Sequence, residues 1–102
     1  MLKMKLGCEH CDKDLPPDST EACICSYECT FCRTCVTDVL RNVCPNCGGG
    51  FVSRPIRPKR AWRPGVSVLC QPGTGERTLK PVDMIEHKGF SEKIVTIPPE
   101  KR

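Results

Sequence analysis

The chain has 102 residues, 38% of them hydrophobic and 5% aromatic, with a formal charge of +4. Folded domains usually carry roughly 45–50% apolar residues, so burial alone cannot stabilise this one, and a large-core enzyme is excluded. Apolar runs are far shorter than a membrane span, and none follows the basic residues Lys3 and Lys5, so neither a transmembrane segment nor a signal peptide is expected.

Ten cysteines compensate for the thin core, nine of them before residue 51. Charge is divided as well. Residues 8–50 hold seven acids (Glu9, Asp12, Asp14, Asp18, Glu21, Glu28, Asp38) against three bases (Lys13, Arg33, Arg41), and the rest of the chain carries +8. Eight metal-bound thiolates with two divalent ions would bring the cysteine-rich half to about −8. Such a polarised molecule is not a uniformly basic nucleic-acid binder. With no export signal, a reducing cytoplasm is the expected setting, where clustered cysteines bind metal rather than form disulfides.

In chain order, residues 12–19 read as a loop around Pro16-Pro17, and the acids of residues 9–21 as a solvated rim. Residues 22–31 suit a short hairpin bent by metal ligands. Residues 33–43 are the one good helix candidate, because Val36, Val39, Leu40 and Val43 form a single apolar stripe. Cys44-Pro45 stops it. Residues 54–63 are basic and punctuated by proline. Beyond them, residues 66–69 and 94–97 suggest short strands, and residues 82–88 one or two helical turns closed by Gly89. Gly73-Thr74-Gly75 reads as a turn, too short to cradle phosphate. The expected division is a cysteine module at 1–52, a linker at 53–64, and an extended or weakly β extension at 65–102.

The cysteines fall as Cys8-x2-Cys11, Cys23-x-Cys25, Cys29-x2-Cys32-x2-Cys35 and Cys44-x2-Cys47. A pair separated by two residues chelates one ion from a tight turn, and two pairs complete a tetrahedral site of four thiolates. Cys32 and Cys35 lie three apart at the start of the candidate helix, where its N-terminus favours thiolates. Zinc is the favoured metal. Iron is the alternative, since Cys29-x2-Cys32-x2-Cys35 followed by Cys44-Pro45 echoes ferredoxin spacing, but eight residues stand where that motif wants three. Cys23 competes with Cys25 as a ligand, and the spacing to Cys29 favours Cys25. Cys70 stands alone. His10, inside a chelating turn, and His87, with no cysteine nearby in sequence, are not expected to be ligands.

Without Cys23, the order of eight cysteines resembles the interleaved, or cross-brace, arrangement of RING-type and treble-clef zinc domains. That resemblance implies a small α+β module with a short hairpin and one helix. It also implies two zinc ions, one on Cys8, Cys11, Cys32 and Cys35, the other on Cys25, Cys29, Cys44 and Cys47. Phe31 falls where those domains carry a core aromatic. A closer resemblance covers residues 8–58, through Cys8-Glu9-His10-Cys11-Asp12-Lys13-Asp14-Leu15-Pro16-Pro17-Asp18, Ile24-Cys25-Ser26-Tyr27-Glu28-Cys29-Thr30-Phe31-Cys32, Cys44-Pro45-Asn46-Cys47-Gly48-Gly49 and the run into Arg54-Pro55. These residues are similar to a family of small bacterial proteins known as domain of unknown function 1272. That family implies the same eight ligands and no established activity.

Sites of four cysteines are closed to substrate, and no catalytic grouping is visible, so the chain reads as non-enzymatic. The expected role is an adaptor whose partner is another protein, met by Leu15, Ile24, Tyr27, Val39, Leu40 and the acidic rim. Ubiquitin ligation is the alternative raised by the RING resemblance. Three departures oppose it: His10 precedes the second cysteine, Val39 stands near a common tryptophan position, and Gly48 follows the last cysteine. Nucleic-acid binding through the five cations and Trp62 of residues 54–63 is a further alternative. A redox or metal-buffering role would need reactive Cys23 and Cys70.

Overall fold

Chelating cysteines every few residues leave room only for short regular elements. The protein was described from a computed structural model, which defines residues 1–73 and 77–102; Thr74 and Gly75 of the expected turn lie outside the described residues. Strands β1 (Ala22–Ile24) and β2 (Thr30–Cys32) are followed by helix α1 (Arg33–Asp38), strand β3 (Val52–Ser53), helix α2 (Met84–Ile94) and a 3-10 turn at Pro99–Lys101.

The expected hairpin is present. β1 pairs antiparallel with β2, Cys23 opposite Phe31, and on its other side with β3, Cys23 opposite Ser53. The resulting order β2-β1-β3 adds a third strand to the expected hairpin. The hairpin closes over residues 25–29, where Cys25 N donates to Cys29 O (3.2 Å) and Glu28 N to Cys25 O (3.1 Å). Glu28 takes the left-handed conformation that this turn requires (φ 64°).

Helix α1 begins where expected but stops five residues early. Val39 N and Leu40 N both reach Cys35 O, and Asn42 N reaches Val36 O at 2.9 Å. Arg41 and Asn42 then turn left-handed, with φ of 55° and 59°. Asn tolerates that region, and the Asn42 side chain is held there by Phe51 N (2.9 Å). The reversal directs Cys44 back toward the hairpin instead of onward along a helix axis. The apolar stripe keeps its purpose, because Leu40 and Val43 are fully buried and Val39 partly so.

The core is small. Phe31 lies at its centre, edge-on to Phe51 with ring centroids 5.5 Å apart. Seven of the twelve residues in the buried cluster are cysteines, so the state of the thiols decides whether a core exists.

The C-terminal extension is not weakly β. α2 runs through Gly89 for eleven residues. Asp83 Oδ1 caps it, accepting from Ile85 N (3.0 Å) and Glu86 N (3.1 Å). Helical glycine costs about 1 kcal/mol relative to alanine, and packing outweighs this, with His87 and Ser91 buried against the module. Residues 66–69 form a turn, in which Cys70 N and Gln71 N both donate to Ser67 O. Residues 94–97 finish α2 and its exit turn. Among the described residues no helix is long and apolar enough to cross a membrane.

The basic segment is not a free linker. Arg54 is buried, its guanidinium donating to the carbonyls of Lys5 (2.7 Å), Leu15 (3.0 Å) and Pro16 (2.8 Å). Arg57 donates to Gln71 O and Leu2 O, and Lys59 pairs with Asp18. Arg60 stacks over the exposed ring of Trp62 at 5.3 Å.

Candidate metal centres

Three tight turns and one helix start bring the cysteines together. In the first turn Asp12 N donates to Cys8 O (3.0 Å) and Cys8 N to Lys13 O (2.9 Å). The last turn repeats this bond for bond: Gly48 N to Cys44 O (2.8 Å), Cys44 N to Gly49 O (2.8 Å). In both, the residue after the second cysteine is left-handed, Asp12 at φ 62° and Gly48 at φ 76°. The turn at Cys25 has the same plan one residue shorter, so its left-handed Glu28 precedes Cys29 instead of following it.

The thiols form two groups. Cys8, Cys11, Cys32 and Cys35 lie within 4.8 Å of one another, as do Cys25, Cys44 and Cys47. Cys29 flanks the second group. Its sulfur accepts from Asn46 Nδ2 at 3.4 Å, and the Cys25 and Cys44 thiols both act on it. All ten cysteines are free thiols. The groups interleave along the chain, the first spanning 8–35 and the second 25–47.

Geometry and electrostatics both suit a tetrahedral thiolate metal. Zinc–sulfur bonds of about 2.3 Å give sulfur–sulfur edges of about 3.8 Å, and Cys11 and Cys32 lie 3.8 Å apart. Backbone N–H groups face the sulfurs: Tyr27 N reaches Cys25 Sγ at 3.3 Å and Gly49 N reaches Cys47 Sγ at 3.4 Å. Burial pushes the Cys8 thiol up, but the amides of Cys11, Cys32 and His10 outweigh it and leave the thiol below its ordinary range. Cys25 behaves alike, with burial opposed by the amides of Tyr27 and Cys29. Their neighbours move the other way. Burial, then the adjacent thiols and the charge on Cys8, drives Cys35 strongly upward. Burial does the same to Cys44, reinforced by Cys29 and Cys25. Cys32 is also raised, by burial first, so the thiolate-favouring effect expected of the helix N-terminus is overridden. In each group one thiol is lowered while neighbouring thiols are raised, a conflict that a bound divalent cation would remove.

Cys23 belongs to neither group. It is buried in the sheet, its thiol raised by burial and directed at Glu21 O (3.9 Å). Cys70 is exposed on the turn at 67–71. His10 Nδ1 accepts from Val82 N at 2.9 Å, and His87 Nε2 meets Leu40 O at 2.9 Å, so both histidines tie the extension to the module.

Several expected contact residues are unavailable. Leu15 and Leu40 are wholly buried and Ile24 nearly so; Tyr27 is exposed. The acidic rim is not simply solvated. Glu9 is buried, accepting from Thr30 N and pairing with Lys5 at 3.2 Å. Asp12 and Asp14 pair with Arg77, Asp18 with Lys59, and Glu21 with Lys13. Sequence reasoning missed Glu9 because an acid between chelating cysteines carries no mark of burial.

Two interleaved thiol groups on a short sheet and helix define a small cysteine-rich module of metal-binding type. The chain belongs to the family described as Protein of unknown function (DUF1272), whose model matches residues 1–57. It is also similar to Uncharacterized protein R02474 of Rhizobium meliloti (strain 1021), 49% identical over 82 residues that cover 79% of this chain and 89% of that protein. No solved structure matches.

Proposed function

We propose that the protein holds two structural zinc ions in a RING-like cross-brace and serves as a non-enzymatic adaptor for another protein. Cys8, Cys11, Cys32 and Cys35 hold the first ion. Cys25, Cys29, Cys44 and Cys47 hold the second, Cys29 closing the triplet it flanks. The observation that carries this reading is the interleaving of two compact thiol groups, with a sulfur–sulfur edge of 3.8 Å that suits zinc. Four thiolates leave no open coordination position, which favours structural over catalytic metal. Zinc supplies charge neutralisation and cross-linking here, in a chain whose core is mostly thiol. A protein partner fits the exposed aromatic groups Tyr27 and Trp62, residue types enriched at interfaces. The bonding of Arg54, Arg57 and Lys59 within the chain weighs against a phosphate-binding stripe.

The test is native mass spectrometry with elemental analysis on protein expressed without added metal. Two zinc ions per chain are expected. One ion, or iron, would remove the cross-brace reading and favour electron transfer or metal handling.

A further inference from the structure

Residues 77–82 run along the first chelating turn. The Arg77 guanidinium bonds Asp12 Oδ1 (3.0 Å), Asp12 O (2.7 Å) and Asp14 Oδ1 (2.8 Å), holding the left-handed residue that ends the turn. It lies so close over Gly7 that a Cβ there would fall 2.5 Å from Arg77 Nη2. Lys80 N donates to Glu9 O at 2.8 Å, and Val82 N to His10 Nδ1 at 2.9 Å. Both acceptors stand between Cys8 and Cys11.

The chain then turns to the other centre. α2 seats His87 on Leu40 O, and its Phe90 and Ile94 come within ordinary contact of a Cβ at Gly48. Arg102 donates to Asn42 O (2.8 Å) and Gly48 O (3.3 Å), the residues that lead into and out of the Cys44 turn. Residues 77–102 therefore touch the end of one chelating turn in each thiol group. These residues lie wholly outside the stretch 1–57 that the family model matches. The alignment with the relative covers 79% of this chain and so extends beyond that stretch.

We propose that residues 77–102 are a two-ended strap that completes the metal module, with His10 and Arg77 as positioning residues for the first ion and Arg102 for the second. The inference rests on the two-zinc reading above. A chelating turn loses its ion when its backbone opens and one thiolate swings away. The strap opposes that opening by bonding the carbonyls and side chains within the turn, as outer-shell partners do at metal sites. Each end acts on its own centre.

The full chain loaded with cadmium-113 separates the two ions by their resonances, and loss to an added chelator is followed for each. Two resonances in the wild-type chain are required by the metal reading itself; their absence would overturn that reading and this inference together. Given two resonances, Arg77→Met and His10→Leu should speed loss from the first centre by about tenfold or more and leave the second nearly unchanged. Arg102→Met should do the converse. His10→Asn, which keeps an acceptor for Val82 N, should restore slow loss, and Lys59→Met, which breaks the ion pair to Asp18 outside both turns, should change neither rate. Equal acceleration at both centres, or none, would overturn the strap while leaving the metal reading intact.

Discussion

His10 Nδ1, inside the first chelating turn, accepts the backbone N–H of Val82, 72 residues further along the chain, at 2.9 Å. Because the Val82 amide is a donor, this ring nitrogen carries no proton. His10 therefore sits among the gathered thiols without being one of the gathered donors. A histidine beside Cys11 has been given to the tail, and the tail's path is fixed by the turn that the metal would hold. On the two-zinc reading, binding of metal and docking of residues 77–102 are linked.

Ligand substitutions should separate the cysteines sharply. Cys32→Ser removes a thiolate from the first group and should abolish binding of that ion and unfold the module, since metal-binding free energy is folding free energy in such domains. Cys23→Ser should retain both ions and cost about 1–3 kcal/mol for a buried hydroxyl without a strong partner. Zinc stoichiometry and far-ultraviolet circular dichroism check both, and equal damage would refute the assignment.

Acid should release the metal. Burial and neighbouring thiols push Cys32, Cys35 and Cys44 upward in the metal-free protein, so these are protonated thiols at neutral pH and must lose protons to bind. The bound state holds fewer protons, so affinity falls as pH falls, by about tenfold per pH unit for each proton released. Competition with a chelator of known affinity at several pH values gives the slope. A flat profile would mean the thiolates are already formed without metal.

Phe31→Ala should cost the metal-loaded protein about 3–5 kcal/mol. Its ring is fully buried against Phe51 in a core that is otherwise mostly sulfur, so little else can collapse into the space. Urea unfolding of the loaded protein measures this.

Glu9→Ala should cost about 1–3 kcal/mol by leaving the buried Thr30 N–H without its acceptor. Glu9→Gln should recover much of this, because an amide oxygen can take the same bond. Salt should have little effect on the difference between the two variants, in contrast to an exposed ion pair.

The cysteine spacing determined, by itself, that thiols would gather into clusters; the fold places four in the first group and three in the second, with Cys29 beside them. Chelation by a two-residue spacer is local, since Cys8 with Cys11 and Cys44 with Cys47 need only a turn to face one point. The hairpin and the start of α1 were legible for the same reason, whereas the burial of Phe31 was implied by the resemblance to RING-type domains. The apolar stripe of residues 33–43 correctly marked buried side chains, yet only the fold decided that Leu40 and Val43 reach the core beyond the end of α1.

What lay beyond the sequence depended on partners distant along the chain. Residues 54–63 read as a basic linker, solvated or docked on the acidic module, and Lys59 does pair with Asp18, but nothing in the sequence marks Arg54 for three carbonyls inside the module. Gly89 marks a helix stop until α2 packs on Gly48 and Leu40. Glu9 and His10 resemble ordinary polar residues until Thr30 N and Val82 N are placed against them. Local chemistry marked the candidate ligands, because a two-residue spacer closes within four residues; tertiary structure alone selected what those turns bond to, because buried hydrogen bonds take whichever partner the fold brings within reach.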